Sequence, residues 1–122
     1  MDIGTPLRDL GEIDAKPLID KILSLEDASW NENLQRQETF DVHKKTSSLV
    51  MIFCDGWPEL VVSKEKAWDH LAEAAVPLMD EIIKKHYEPG GTIIRAMAAK
   101  LFAGERITPH TDKHPSFHIA HR

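Results

Sequence analysis

Apolar side chains at spacings of three and four run from Trp68 through Leu71, Ala72, Ala75, Met79, Ile82 and Ile83. Only a helix gathers residues at that spacing onto one side, and a helix with one apolar side must bury it against something else in the chain. The pattern predicts a helix over residues 64–87. Ser63 is placed to cap it, with Lys66 where a capping-box glutamate would be ideal. Pro77 falls inside the stripe, where its missing N–H predicts a kink or a break. Pro89, Gly90 and Gly91 end the helix.

The surface that covers this helix must come from the extended segments. Residues 48–53 are nearly all apolar and partly β-branched, and residues 39–43 alternate, so the two predict a hairpin turning over residues 44–47. Residues 92–102 read as a long strand, with Ile94, Ala96 and Ala98 on one face and Ile93, Arg95 and Met97 on the other. The small residues suit a closely packed face. Gly104 and Glu105 turn the chain, residues 106–112 return as a second strand, and Phe117 begins a third. Nearer the start, residues 7–12 alternate weakly. Asp14 and Pro17 open a helix whose Leu18, Ile19, Ile22 and Leu23 share a side. Helices in the first three quarters and strands crowding toward the end predict an α+β fold, with helices packed on a mainly antiparallel sheet.

Composition narrows the function classes. The 122 residues fit one domain, residues 1–122, with 42% hydrophobic and 29% charged residues. A net charge of −5 and basic runs no longer than the pairs Lys44-Lys45 and Lys84-Lys85 argue against nucleic-acid or anionic-membrane partners. The single cysteine, Cys54, lies in an apolar run and reads as a packed thiol. One cysteine allows no internal disulfide, residues 1–10 do not resemble a signal peptide, and no segment has the length of a membrane span. The expectation is a cytoplasmic protein. Trp57 and Trp68 read as core or helix-docking residues, and His43 and His70 as surface or half-buried ones.

Four of the seven histidines, His110, His114, His118 and His121, lie in the last thirteen residues. His110 and Asp112 are two apart, so on a strand their side chains point the same way and can reach one metal ion. Two histidines and a carboxylate form the facial triad of non-haem Fe(II) oxygenases, with positions left for a cosubstrate and oxygen. The plain alternative is a surface histidine beside an acidic residue. His114 and His118 have zinc spacing on a helix, but Pro115 between them disfavours one. No serine sits on a nucleophile turn of the hydrolase kind.

The run from Arg95 through Lys100, Phe102 and Gly104 to Ile107-Thr108-Pro109-His110-Thr111-Asp112, continuing to His121-Arg122, resembles the aspartyl/asparaginyl β-hydroxylase family. The shared pattern is a small-residue strand, an apolar-x-Gly turn, Ile-x-Pro-His-x-Asp, and an arginine opening the next strand. Leu10 to Asp14, Trp30 and Phe40 to His43 fit more loosely. The resemblance implies a double-stranded β-helix, or jelly-roll, oxygenase with helices on its N-terminal side. It implies His110 as the first Fe(II) ligand, Asp112 as the carboxylate ligand, and Arg122 as the arginine that contacts a carboxylate of 2-oxoglutarate. The implied reaction converts 2-oxoglutarate and oxygen to succinate and CO2 while hydroxylating a C–H bond of an amino-acid or peptide-like substrate.

In that family the second histidine ligand and a further arginine lie several strands downstream, whereas ten residues follow Asp112 here. The expectation is therefore an oxygenase domain that stops before its site is complete and is inactive alone. The competing expectations are a non-catalytic binding or assembly module on the same partial fold, and a zinc protein using the C-terminal histidines. An incomplete jelly roll leaves open sheet edges, which predicts a homodimer through the C-terminal strands.

Overall fold

The computed structural model describes residues 4–5, 7–30 and 46–119. The elements are α1 (Lys16–Ser24), α2 (Asp27–Trp30), β1 (Thr46–Asp55), β2 (Val61–Lys64), α3 (Ala67–His86), β3 (Ala96–Leu101) and a closing 3-10 turn (Pro115–His118). The predicted strand over residues 39–43 and the first half of its turn, 44–45, lie outside the described residues, whereas Thr46 and Ser47, expected in that turn, open β1.

β1 is the middle of a three-stranded antiparallel sheet of order β2-β1-β3. Its apolar run suits this place, because a strand flanked on both sides has little contact with water. Leu49 stands opposite Ala98, Val50 opposite Met97 and Ile52 opposite Ala96, so Met51 is an extra residue that bulges the strand. The bulge lets both Met51 and Ile52 join the core.

α3 covers this sheet. Ala67, Leu71 and Ala75, spaced by four, are its buried residues, and Trp68 and Met79 pack beside them. Leu71 and Leu49 are each only 1% exposed. Ala96 and Ala98 of β3 line the same core, where short side chains allow close approach. α1 lies along α3 and adds Leu18 and Ile22, with Leu25 just past its end. α2 sets Trp30 into the core, with the Lys100 ammonium 4.5 Å from its ring centroid. The α+β expectation holds.

Several elements depart from the sequence reading. Pro77 sits within an unbroken α3. It is exposed, as is Glu73 one turn earlier, so water can take up the carbonyl that Pro77 leaves without a donor. α3 starts at Ala67 because the preceding residues form β2 instead, with the Glu65 N–H donating to the Met51 carbonyl at 2.8 Å. The Ser63 hydroxyl bonds the Glu65 carboxylate at 2.6 Å and does not cap the helix. The stripe on α1 is narrower than expected, since Ile19 and Leu23 are exposed. Pro17 stands in its first turn, and the Asp14 carboxylate accepts from the Lys16 N–H at 3.0 Å. Residues 7–12 form no strand. Trp57 is exposed, while Cys54 is fully buried and His70 half-buried.

The largest correction concerns the C-terminal part. β3 spans six residues, 106–112 is not a strand, and Phe117 and His118, expected to begin a third, lie in the 3-10 turn; residues 120–122 lie outside the described residues. Residues 102–113 are exposed and irregular after a turn in which the Glu105 N–H donates to the Phe102 carbonyl at 3.0 Å. Pro109 has no N–H for a ladder, and Pro115 opens a 3-10 turn, a position where its fixed φ fits. No helix among the described residues is long and apolar enough to cross a membrane.

Leu71→Ala will cost about 2–5 kcal/mol, the range for emptying a packed leucine site, when unfolding is followed in urea. Gly56→Ala will also destabilise. Gly56 has φ +77°, and a methyl group there runs into the Glu59 carbonyl oxygen.

Candidate metal centre

His110 and Asp112 ride on the exposed loop between β3 and the 3-10 turn. They are not on a strand, yet their side chains converge. His110 Nε2 lies 3.8 Å from Asp112 Oδ1, with both side chains a little under half exposed. The local chain explains this. Pro109 fixes one backbone angle just before His110, and His110 Nδ1 sits 2.9 Å from the Thr108 carbonyl oxygen. A carbonyl only accepts, so Nδ1 carries the proton and donates.

That assignment leaves the lone pair of a neutral His110 on Nε2, the nitrogen facing Asp112. An imidazole lone pair and a carboxylate then face one another with no hydrogen between them. A cation placed between them can take both as ligands. Ligands at about 2.1 Å on adjacent corners of one ion stand about 3 Å apart, so the pair needs to close by somewhat under 1 Å. An imidazole that donates its other N–H to a backbone carbonyl is also the usual outer support of a metal-ligating histidine. The two residues therefore fit a divalent ion as a two-ligand half site. No group of three His, Cys, Asp or Glu side chains that could hold a metal occurs among the described residues. Arg122, the predicted 2-oxoglutarate contact, lies outside the described residues, as do His43 and His121.

The other histidines are differently engaged. His114 Nδ1 accepts from the Ser116 N–H at 3.2 Å and lies 2.8 Å from Ser116 Oγ, and its Nε2 is 3.9 Å from Asp55 Oδ1. His118 ends the 3-10 turn. With His114 Nδ1 occupied and no α-helix joining it to His118, the spacing argument for zinc loses its geometry. Asp55, His114 and Ser116 line up in the order of a hydrolytic triad, but Ser116 is 0% exposed, and a nucleophile must be reachable.

One cluster escaped the sequence reading. The Arg95 guanidinium lies over the rings of both Phe53 and Phe117, at 4.9 and 4.8 Å from their centroids. It donates through Nη2 to the Cys54 carbonyl at 2.6 Å and to Ser116 Oγ at 3.4 Å. Its Nε is buried without a hydrogen-bond partner. The available signal was a single charge within the apolar run Ile93 to Ala99.

Comparison of the chain with protein-family models, curated proteins and solved structures yields no match.

Imidazole nitrogen shifts measured by NMR with both rings neutral will show opposite tautomers, Nδ1–H for His110 and Nε2–H for His114. An Nε2–H tautomer at His110 would mean that the Thr108 contact does not form and that the lone pair does not face Asp112.

Proposed function

We propose that this chain is an Fe(II)- and 2-oxoglutarate-dependent oxygenase domain of the aspartyl/asparaginyl β-hydroxylase type. The observation that carries the reading is the convergence of His110 Nε2 and Asp112 Oδ1, with the opposite imidazole nitrogen held by the Thr108 carbonyl. His110 and Asp112 supply two Fe(II) ligands, and Arg122 binds a carboxylate of the cosubstrate. The antiparallel sheet with helices packed against it is read as part of a double-stranded β-helix. When bound, iron with 2-oxoglutarate and oxygen supplies the oxidising power to hydroxylate a C–H bond of an amino-acid or peptide-like substrate. Thr108 keeps the His110 lone pair pointed at the ion, and Asp112 offsets part of the ion's charge.

Two protein ligands hold a divalent ion more weakly than three, so the described residues alone give a weak site and little 2-oxoglutarate turnover. Anaerobic calorimetry with Fe(II) tests the ligands. His110→Ala and Asp112→Ala will each weaken binding by roughly tenfold or more, as expected when a ligand is lost from a site where outer-shell changes already cost that much. Equal Fe(II) affinity in His110→Ala and the parent, or no binding by the parent, sinks the reading.

A second reading, a non-catalytic assembly module, draws on a different observation. Met97, Leu101, Phe102 and Ile107 are large apolar residues left exposed on and just after β3. β3 pairs with β1 along one edge only among the described residues. Apolar surface in water costs roughly 25 cal/mol per Å2, and an open edge offers unpaired backbone groups. Both features suit a homodimer through the C-terminal strands, which either reading accommodates. Light scattering at rising concentration will show a dimer that Leu101→Lys disrupts; a clean monomer at high micromolar concentration counts against it.

A further inference from the structure

We infer that Arg95 is a positioning residue that docks the far end of the 102–114 loop onto the end of β1, acting through Ser116 and His114. The loop is exposed and has no ladder of its own, so its course depends on its two attachments. One is β3, which pairs with β1. The other is a chain of hydrogen bonds that runs from Arg95 through Ser116 to His114. Arg95 Nη2 donates to the Cys54 carbonyl, near the end of β1, and to Ser116 Oγ. The Ser116 N–H donates to His114 Nδ1, and its hydroxyl oxygen lies 2.8 Å from the same nitrogen. A nitrogen that accepts the N–H leaves the imidazole proton on Nε2, the atom that faces Asp55.

Burial makes this attachment specific. Ser116 and Cys54 are both 0% exposed, so the turn is seated against the sheet and not laid over it. The guanidinium lies over two phenyl rings, and its Nε is buried without a hydrogen-bond partner. Lysine cannot replace this arrangement, because a single ammonium has no planar face to lay on a ring while reaching two oxygens. The partners span 41 and 21 residues of sequence, so one side chain ties together the end of β1, the approach to β3 and the C-terminal turn.

His110 and Asp112 lie between the two attachments, so their placement follows from both. That consequence rests on the iron reading of the pair, but the docking itself does not.

Hydrogen exchange on the full chain tests the inference, with Mn(II) binding measured in parallel as a probe of the half site. Arg95→Lys will raise exchange at the amides of Ser116 and Phe117 roughly tenfold, the effect of losing a buried hydrogen bond, and leave α3 unchanged. It will also weaken Mn(II) binding. Ser116→Ala, a smaller change that keeps the arginine, will act in the same direction. His110→Ala will abolish Mn(II) binding while leaving the Ser116 and Phe117 amides protected. Unchanged exchange at these amides in both Arg95→Lys and Ser116→Ala, or a rise matched in α3, overturns the inference. Opened amides in a protein that binds no Mn(II) support the docking and remove the iron reading alone.

Discussion

The rest of the structure depends on the seam between α3 and β1. β1 is hydrogen-bonded on both sides, so it cannot shift without breaking two ladders, and its Leu49 meets a helix face built from Ala67, Leu71 and Ala75. The alanines at 67, 75, 96 and 98 bring the two layers close, and Leu71 fills the space between them. Because α1 and α2 attach to α3 and β1 respectively, the seam also sets where the N-terminal part packs.

From that rigid base the chemistry-bearing residues emerge at one end. β1 finishes at Asp55 and is followed by a turn at Gly56; β3 is approached through Arg95. The residues around that end form a polar cluster bounded by aromatic rings, and the loop with His110 and Asp112 closes back onto it. A rigid sheet that carries its reactive groups on a loop is a common division of labour, because loops tolerate the irregular backbone that ligands require. Here the irregularity has a specific outcome. The Thr108 carbonyl and the Pro109 ring orient His110 without help from any strand.

How far the sequence was legible depends on how local each signal is. The α3 stripe, the apolar β1 run, Pro17 at the start of α1 and the buried Cys54 are all properties of short windows, and each was readable. β2 was not, because four residues with an exposed pattern at a sheet edge carry no period, and the last of them fell in the predicted helix. The strand expected over 106–112 failed because alternation alone does not make a ladder. Pro109 cannot donate, and no described partner runs alongside. The spacing of His110 and Asp112 singled the pair out through the pleat of an expected strand, whereas the geometry that brings the two side chains together is a loop. The Arg95 cluster was invisible for a different reason: its partners are far apart in sequence, so no spacing reports them.

The central claim is that His110 and Asp112 converge on one cation. Paramagnetic broadening localises it most directly. On titration with substoichiometric Mn(II), the account predicts that resonances of His110, Thr111 and Asp112 broaden first and that this local effect vanishes in His110→Ala. Broadening centred on His114 and His118, or spread evenly over the acidic surface, would contradict it.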